Sequence, residues 1–107
     1  MAERAKTWLI EILLPATFND GGPVPPDMLG RIRSDLVERF GGLTAFTRSP
    51  AEGVWVDEGA ARHDDIIVLE VMTQGVDRTW WRAWRKCMEA QLGQDEIVVR
   101  AREIERL

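Results

Sequence analysis

The chain has 107 residues, 45% of them hydrophobic and 30% charged, with a formal net charge of −4. That length suits one domain around one core, and the negative balance argues against a general affinity for nucleic-acid phosphates or anionic membrane. A single cysteine, Cys87, and a single histidine, His63, exclude an internal disulfide, a Cys/His zinc cluster within one subunit and a Cys-ligated iron–sulfur site, and no cofactor is implied.

The N-terminal "MAERAKTWLIEILLP" has an apolar run that Glu11 interrupts and Pro15 ends, too short for a membrane span and without a small-residue cleavage pattern. A cytoplasmic chain is expected. Residues 7 to 14, "TWLIEILL", read as a largely buried strand. "PATFNDGGPVPPD", with four prolines and two glycines, can continue neither a strand nor a helix and reads as a long loop. Asp27 is expected to cap a helix to about Phe40, in which Met28, Leu29, Ile32, Leu36 and Phe40 recur at three- and four-residue intervals; Gly41 and Gly42 end it.

"LTAFTR" reads as the next strand, "SPAEG" as a turn or bulge and "VWV" as its continuation. "DEGAARHDD" reads as a polar hairpin loop before the strand "IIVLEVMT". Asp77 caps a second helix closed by Gly93, and "DEIVVRAREI" is the last strand. Strand, helix, strand, strand, helix, strand is the split-βαβ order. The expected fold is therefore α+β, ferredoxin-like βαββαβ, a four-stranded antiparallel sheet in spatial order 4-1-3-2 with two helices on one face, formed by residues 1–107 as one domain. A weak internal symmetry agrees, since overlaying the halves sets Glu11 on Glu70 and places Arg48 and Arg100 at similar distances past the glycine that ends each helix.

"DRTWWRAWRKCMEAQLG" interleaves tryptophans with basic residues. On a wheel of about 100° per residue with Trp80 at zero, Trp84, Met88 and Trp81 fall within about 100°, beside Gln91, Leu92 and Cys87. Arg78, Arg82, Arg85, Lys86 and Glu89 take the other side. The stripe predicts core packing and the basic residues a solvated face, with Trp81, nearest the boundary, the tryptophan suited to an exposed binding role. RNA binding of the RRM kind needs aromatics on the two central strands. Those strands instead offer Leu9, Leu13, Val68 and Met72 beside Glu11 and Glu70, so no nucleic-acid partner is expected.

Period-two alternation gives the sheet an open face of Leu9, Glu11, Leu13, Thr44, Phe46, Arg48, Ile66, Val68, Glu70, Met72, Val98, Arg100 and Arg102. Such a face is too apolar to be left in water. The carboxylates Glu11 and Glu70 are expected to pair with Arg100 and Arg48. Either they are half-exposed ion pairs contributing little, or a second copy of the chain closes over them as a homodimer. A third reading has the two carboxylates share a proton and do acid–base work in a cavity.

The loop 15–27, the hairpin loop 57–65 and the Gly93–Asp95 turn are expected at one end of the sheet, gathering Phe18, Asn19, Asp20, Glu58, His63, Asp64, Asp65 and Gln94. His63 could serve there as a base or ligand, with Asp20 or Asp64 as partner, or the tip is simply exposed and polar. No P-loop, GxSxG or HExxH occurs.

At "RFGGLTAFTRSPAEGVW", "DDIIVLEVMT", the Trp-rich helix and "GQDEIVVRA", over residues 39 to 101, the chain resembles small uncharacterised bacterial proteins. The resemblance implies a ferredoxin-like domain and assigns no catalytic residue. More distantly, by fold only, it is similar to the dimeric α+β barrel proteins, which include small oxygenases and isomerases. Two functions follow as expectations. One is a homodimer formed through the open face, with Phe46, Met72, Arg48 and Arg100 among its contacts. The other is a small cofactor-independent enzyme of oxygenase, isomerase or lyase type acting on a small acid or aromatic compound, with Glu70, Glu11 and His63 as catalytic groups and Trp81 and Asp20 as binding groups.

Overall fold

The computed structural model describes residues 6–18, 20–57 and 60–107, with backbone alone for 47–53, 55–57 and 60–64. Its elements run β1 (Thr7–Pro15), α1 (Pro26–Phe40), β2 (Thr44–Asp57), β3 (Ala60–Thr73), α2 (Arg78–Gln91) and β4 (Val98–Ile104). The strands form one antiparallel sheet in the order β2-β3-β1-β4, the expected one.

Alternation does the placing. Ile10, Ile12 and Leu14 of β1 and Leu69 and Val71 of β3 are buried beneath the helices, while Leu9, Glu11, Leu13, Val68, Glu70 and Met72 point to the other side. From α1 the core takes Ile32 and Leu36, and from α2 it takes Trp81 and Met88, with Leu92 and Ile97 just beyond. α1 starts differently from the expectation. Its N-cap is Pro25 and no side chain caps it; Pro26 takes the first helical positions, where a missing N–H costs nothing, and Asp27 falls inside the first turn. Gly41, at φ 82°, ends the helix in the left-handed conformation, its N–H donating to the Val37 carbonyl. α2 is capped as expected, the Asp77 carboxylate accepting the Trp80 N–H at 3.0 Å.

The hairpin between β2 and β3 is longer than the sequence suggested. The ladder continues from Glu52 opposite Asp65 out to Asp57 opposite Ala60, so most of the segment expected as loop 57–65 is paired strand. Between the Phe46–Val68 and Ala51–Ile66 pairings the register shifts, with the four residues 47–50 of β2, Pro50 among them, facing Ile67 alone, as an edge strand allows. β1 stops at Pro15, opposite Ile66, so the outer pairs form a two-stranded arm beyond the helix-covered sheet. The segment 60–65, "AARHDD", carries no apolar period, which is why it read as a loop, while residues 54–56 on the opposite strand read as strand.

Candidate functional site

The open face is centred on two opposed carboxylates. In the register Glu11 stands directly across from Glu70 on one side and from Arg100 on the other. Glu11 is mostly covered, 14% exposed; Arg100 Nη2 reaches its Oε2 at 3.4 Å and Arg102 Nε lies 3.8 Å from its Oε1. The expected Glu11–Arg100 pair is present, and Arg102 joins it. Both arginines are largely exposed, so each pair contributes at most about 1 kcal/mol. Glu70, half-buried, has no ion-pair or hydrogen-bond partner among the described residues. The Arg48 side chain expected opposite it lies outside the described residues.

Apolar side chains surround this charge. Phe46 is 47%, Met72 49% and Val98 41% exposed, and Leu9, Leu13 and Val68 are partly covered by their neighbours. No helix lies over them, because both helices occupy the opposite face.

At the loop end the structure unites some of the expected residues and separates others. Asp20 Oδ1 accepts the Gly22 N–H at 2.9 Å, an Asx turn within the loop that Gly21 (φ 89°) closes. Phe18 packs on the core, and the Gln94 amide donates to the Thr17 carbonyl at 3.2 Å, binding the Gly93 turn to this loop. His63 is not at a hairpin tip. Its backbone pairs with Val54 in the arm, three positions past Ile66, or about 10 Å along the strand. The side chains of His63, Asp64, Glu58 and Asn19 lie outside the described residues. Among the described residues no group of three or more His, Cys, Asp or Glu is placed to hold a metal, and Cys87 is a free, exposed thiol.

Two expectations on α2 are corrected. Trp81 is not the exposed tryptophan: it is 5% exposed and stacks on Phe40 at 5.1 Å, while Trp80 and Trp84 are only partly covered. The buried stripe centres on Trp81, Met88 and Leu92, because α2 leans on the sheet with that line and turns Trp80 toward the end of α1, where the Arg39 guanidinium lies 4.0 Å from its ring centre. Glu89, read as part of a solvated face, is mostly buried. Its Oε2 accepts the Ile97 N–H at 2.8 Å and a hydrogen bond from Arg85 Nη1 at 3.2 Å. The sequence signal for this was the Gly93 turn, which folds the next segment back along that flank of α2.

Four antiparallel strands in this order, with both helices on one face, define a ferredoxin-like α+β fold. No family model matches the chain, and no curated protein matches its sequence. Solved structures do match it. CutA1 from Oryza sativa is 14% identical with a TM-score of 0.64 over 96% of this chain and 84% of that one. A phage SAM lyase in complex with S-methyl-5'-thioadenosine is 14% identical with a TM-score of 0.63 over 96% and 87%. The divalent cation tolerance protein CutA1 from Thermus thermophilus is 14% identical with a TM-score of 0.61 over 94% and 86%. At these identities the likeness is one of fold. Among the described residues no helix is long and apolar enough to cross a membrane.

Proposed function

We propose that the chain is a subunit of a homo-oligomer, in its simplest form a homodimer, whose open sheet face is buried against another copy. The observation that carries this is the run of Phe46, Val68, Leu13, Leu9, Met72 and Val98 across a sheet face that none of the described elements covers. A second copy removes that surface from water, at about 25 cal/mol for each Å² of apolar area. Burying Glu70 without a cation would be costly, so a closed interface needs a basic group beside it, from Arg48 of the same copy or from the other copy. Phe46→Asp and Met72→Asp test the reading by sedimentation. Both positions are about half exposed, so the variants fold, and each sediments as a monomer where the parent chain does not. Parent-like mass in both variants would show that this face is not the interface.

A second reading, a small lyase, is favoured by Glu70 itself. Among the described residues Glu70 has no partner; a half-buried carboxylate opposite another carboxylate attracts a cation, and the substrate named for the phage neighbour, SAM, is a sulfonium. In this reading Glu70 receives the positive centre, with Glu11 and its arginines beside it, while His63, seven positions along β3 in the arm, is too far away to act on the same ligand. Calorimetric titration with SAM and with S-methyl-5'-thioadenosine decides it. Binding that Glu70→Gln abolishes supports the lyase, and absence of heat from both compounds sinks it.

A further inference from the structure

A cleft of about 300 Å³ lies between the first half of α2 and the edge strand β4. Trp8, Val76, Trp81 and Val99 give it an apolar wall, and Arg78 and Arg82 stand on its α2 side. That volume is at the small end of ligand sites, which run from roughly 300 to 1,000 Å³. The wall is firm, because Trp81 is wedged between Phe40 and the core.

Among the described residues the charge here is unmet. Of the three arginines that follow one flank of α2, Arg85 is held by Glu89 at 3.2 Å. Arg78 and Arg82 make no ion pair with any described residue, and both are exposed. They stand one helical turn apart, a spacing at which like charges oppose helix formation, and they do so in a chain of net charge −4. An anion between them would relieve that repulsion. Two guanidinium forks beside an apolar wall match a carboxylate on a flat ring better than they match an isolated inorganic ion.

The geometry points to this cleft as a binding site for a small aryl carboxylate, its ring against Trp8, Trp81 and Val99 and its carboxylate between Arg78 and Arg82. The site lies on the helix side of the sheet and takes a ligand of the opposite charge to one drawn by Glu70; of the open-face residues only Arg100, on the edge strand, also borders it.

The test titrates 1-naphthoate into the full chain, followed by tryptophan fluorescence and calorimetry, with 1-naphthalenemethanol as the uncharged counterpart. The expected result is saturable binding of one naphthoate per chain, weakened about ten- to a hundredfold in the Arg78→Gln/Arg82→Gln double variant. The neutral alcohol should be weaker by a similar factor, and Arg31→Gln, an exposed change on α1, should leave the affinity unaltered. Both cleft arginines are exposed, so the double variant keeps its circular dichroism and its oligomeric mass. Absence of saturable naphthoate binding, equal affinity in parent and double variant, or an alcohol that binds as tightly as the acid would each overturn the proposal.

Discussion

Glu89 joins α2 to the start of β4 through a single carboxylate. It accepts a backbone N–H at 2.8 Å and steadies itself on Arg85. Removing it leaves the Ile97 N–H without its partner beside a buried side chain, so Glu89→Ala should lower stability by about 1–3 kcal/mol in urea denaturation. An unchanged midpoint would mean that water replaces the carboxylate without loss. Trp81 carries the larger share. Trp81→Ala should cost about 3–5 kcal/mol, while Trp84→Ala, at a partly covered position, should cost clearly less. Equal losses would contradict the burial order within the cluster. Neither residue could be placed from the sequence alone. A helical wheel finds a stripe, but its centre depends on how the helix leans on the sheet, and that is a property of packing.

Among the elements, β1 and the inner half of β3 were readable because each has one face in the core and one outside, which writes a period of two into the sequence. The internal symmetry matched Glu11 to Glu70 as equivalent positions, and the register that sets them opposite each other came from the structure. The arm was readable only in part. Residues 54–56 read as strand, but the partner segment, 60–65, is small and charged and carries no apolar period to mark the pairing. This difference is measurable by amide hydrogen exchange. The arm amides should exchange much faster than those of Ile10 and Ile12, because β1 stops at Pro15 and leaves the ladder only two strands wide beyond it. Protection of the arm equal to that of β1 would show that something else covers it. Gly41 offers a simpler check on α1: its left-handed φ of 82° makes Gly41→Ala destabilising by about 1 kcal/mol, although nothing lies within 4 Å of the added methyl.

At the scale of the whole molecule the chain divides its surfaces by charge and apolarity. Its helices cover one sheet face and leave the other as an apolar field around the Glu11–Arg100–Arg102 cluster, with Glu70 unpaired beside it among the described residues. The open face was legible because strand order and alternation together determine which side chains share a face. The cleft beside α2 was not, since it depends on the gap between a helix and an edge strand. The central claim is that another copy of the chain covers the open face, and light scattering behind a sizing column tests it most directly, over a range of protein concentration at low and high salt. An apolar interface predicts a mass of two or more chains that holds or strengthens as salt rises, because screening weakens only the exposed ion pairs. A single-chain mass at every concentration and salt would contradict it.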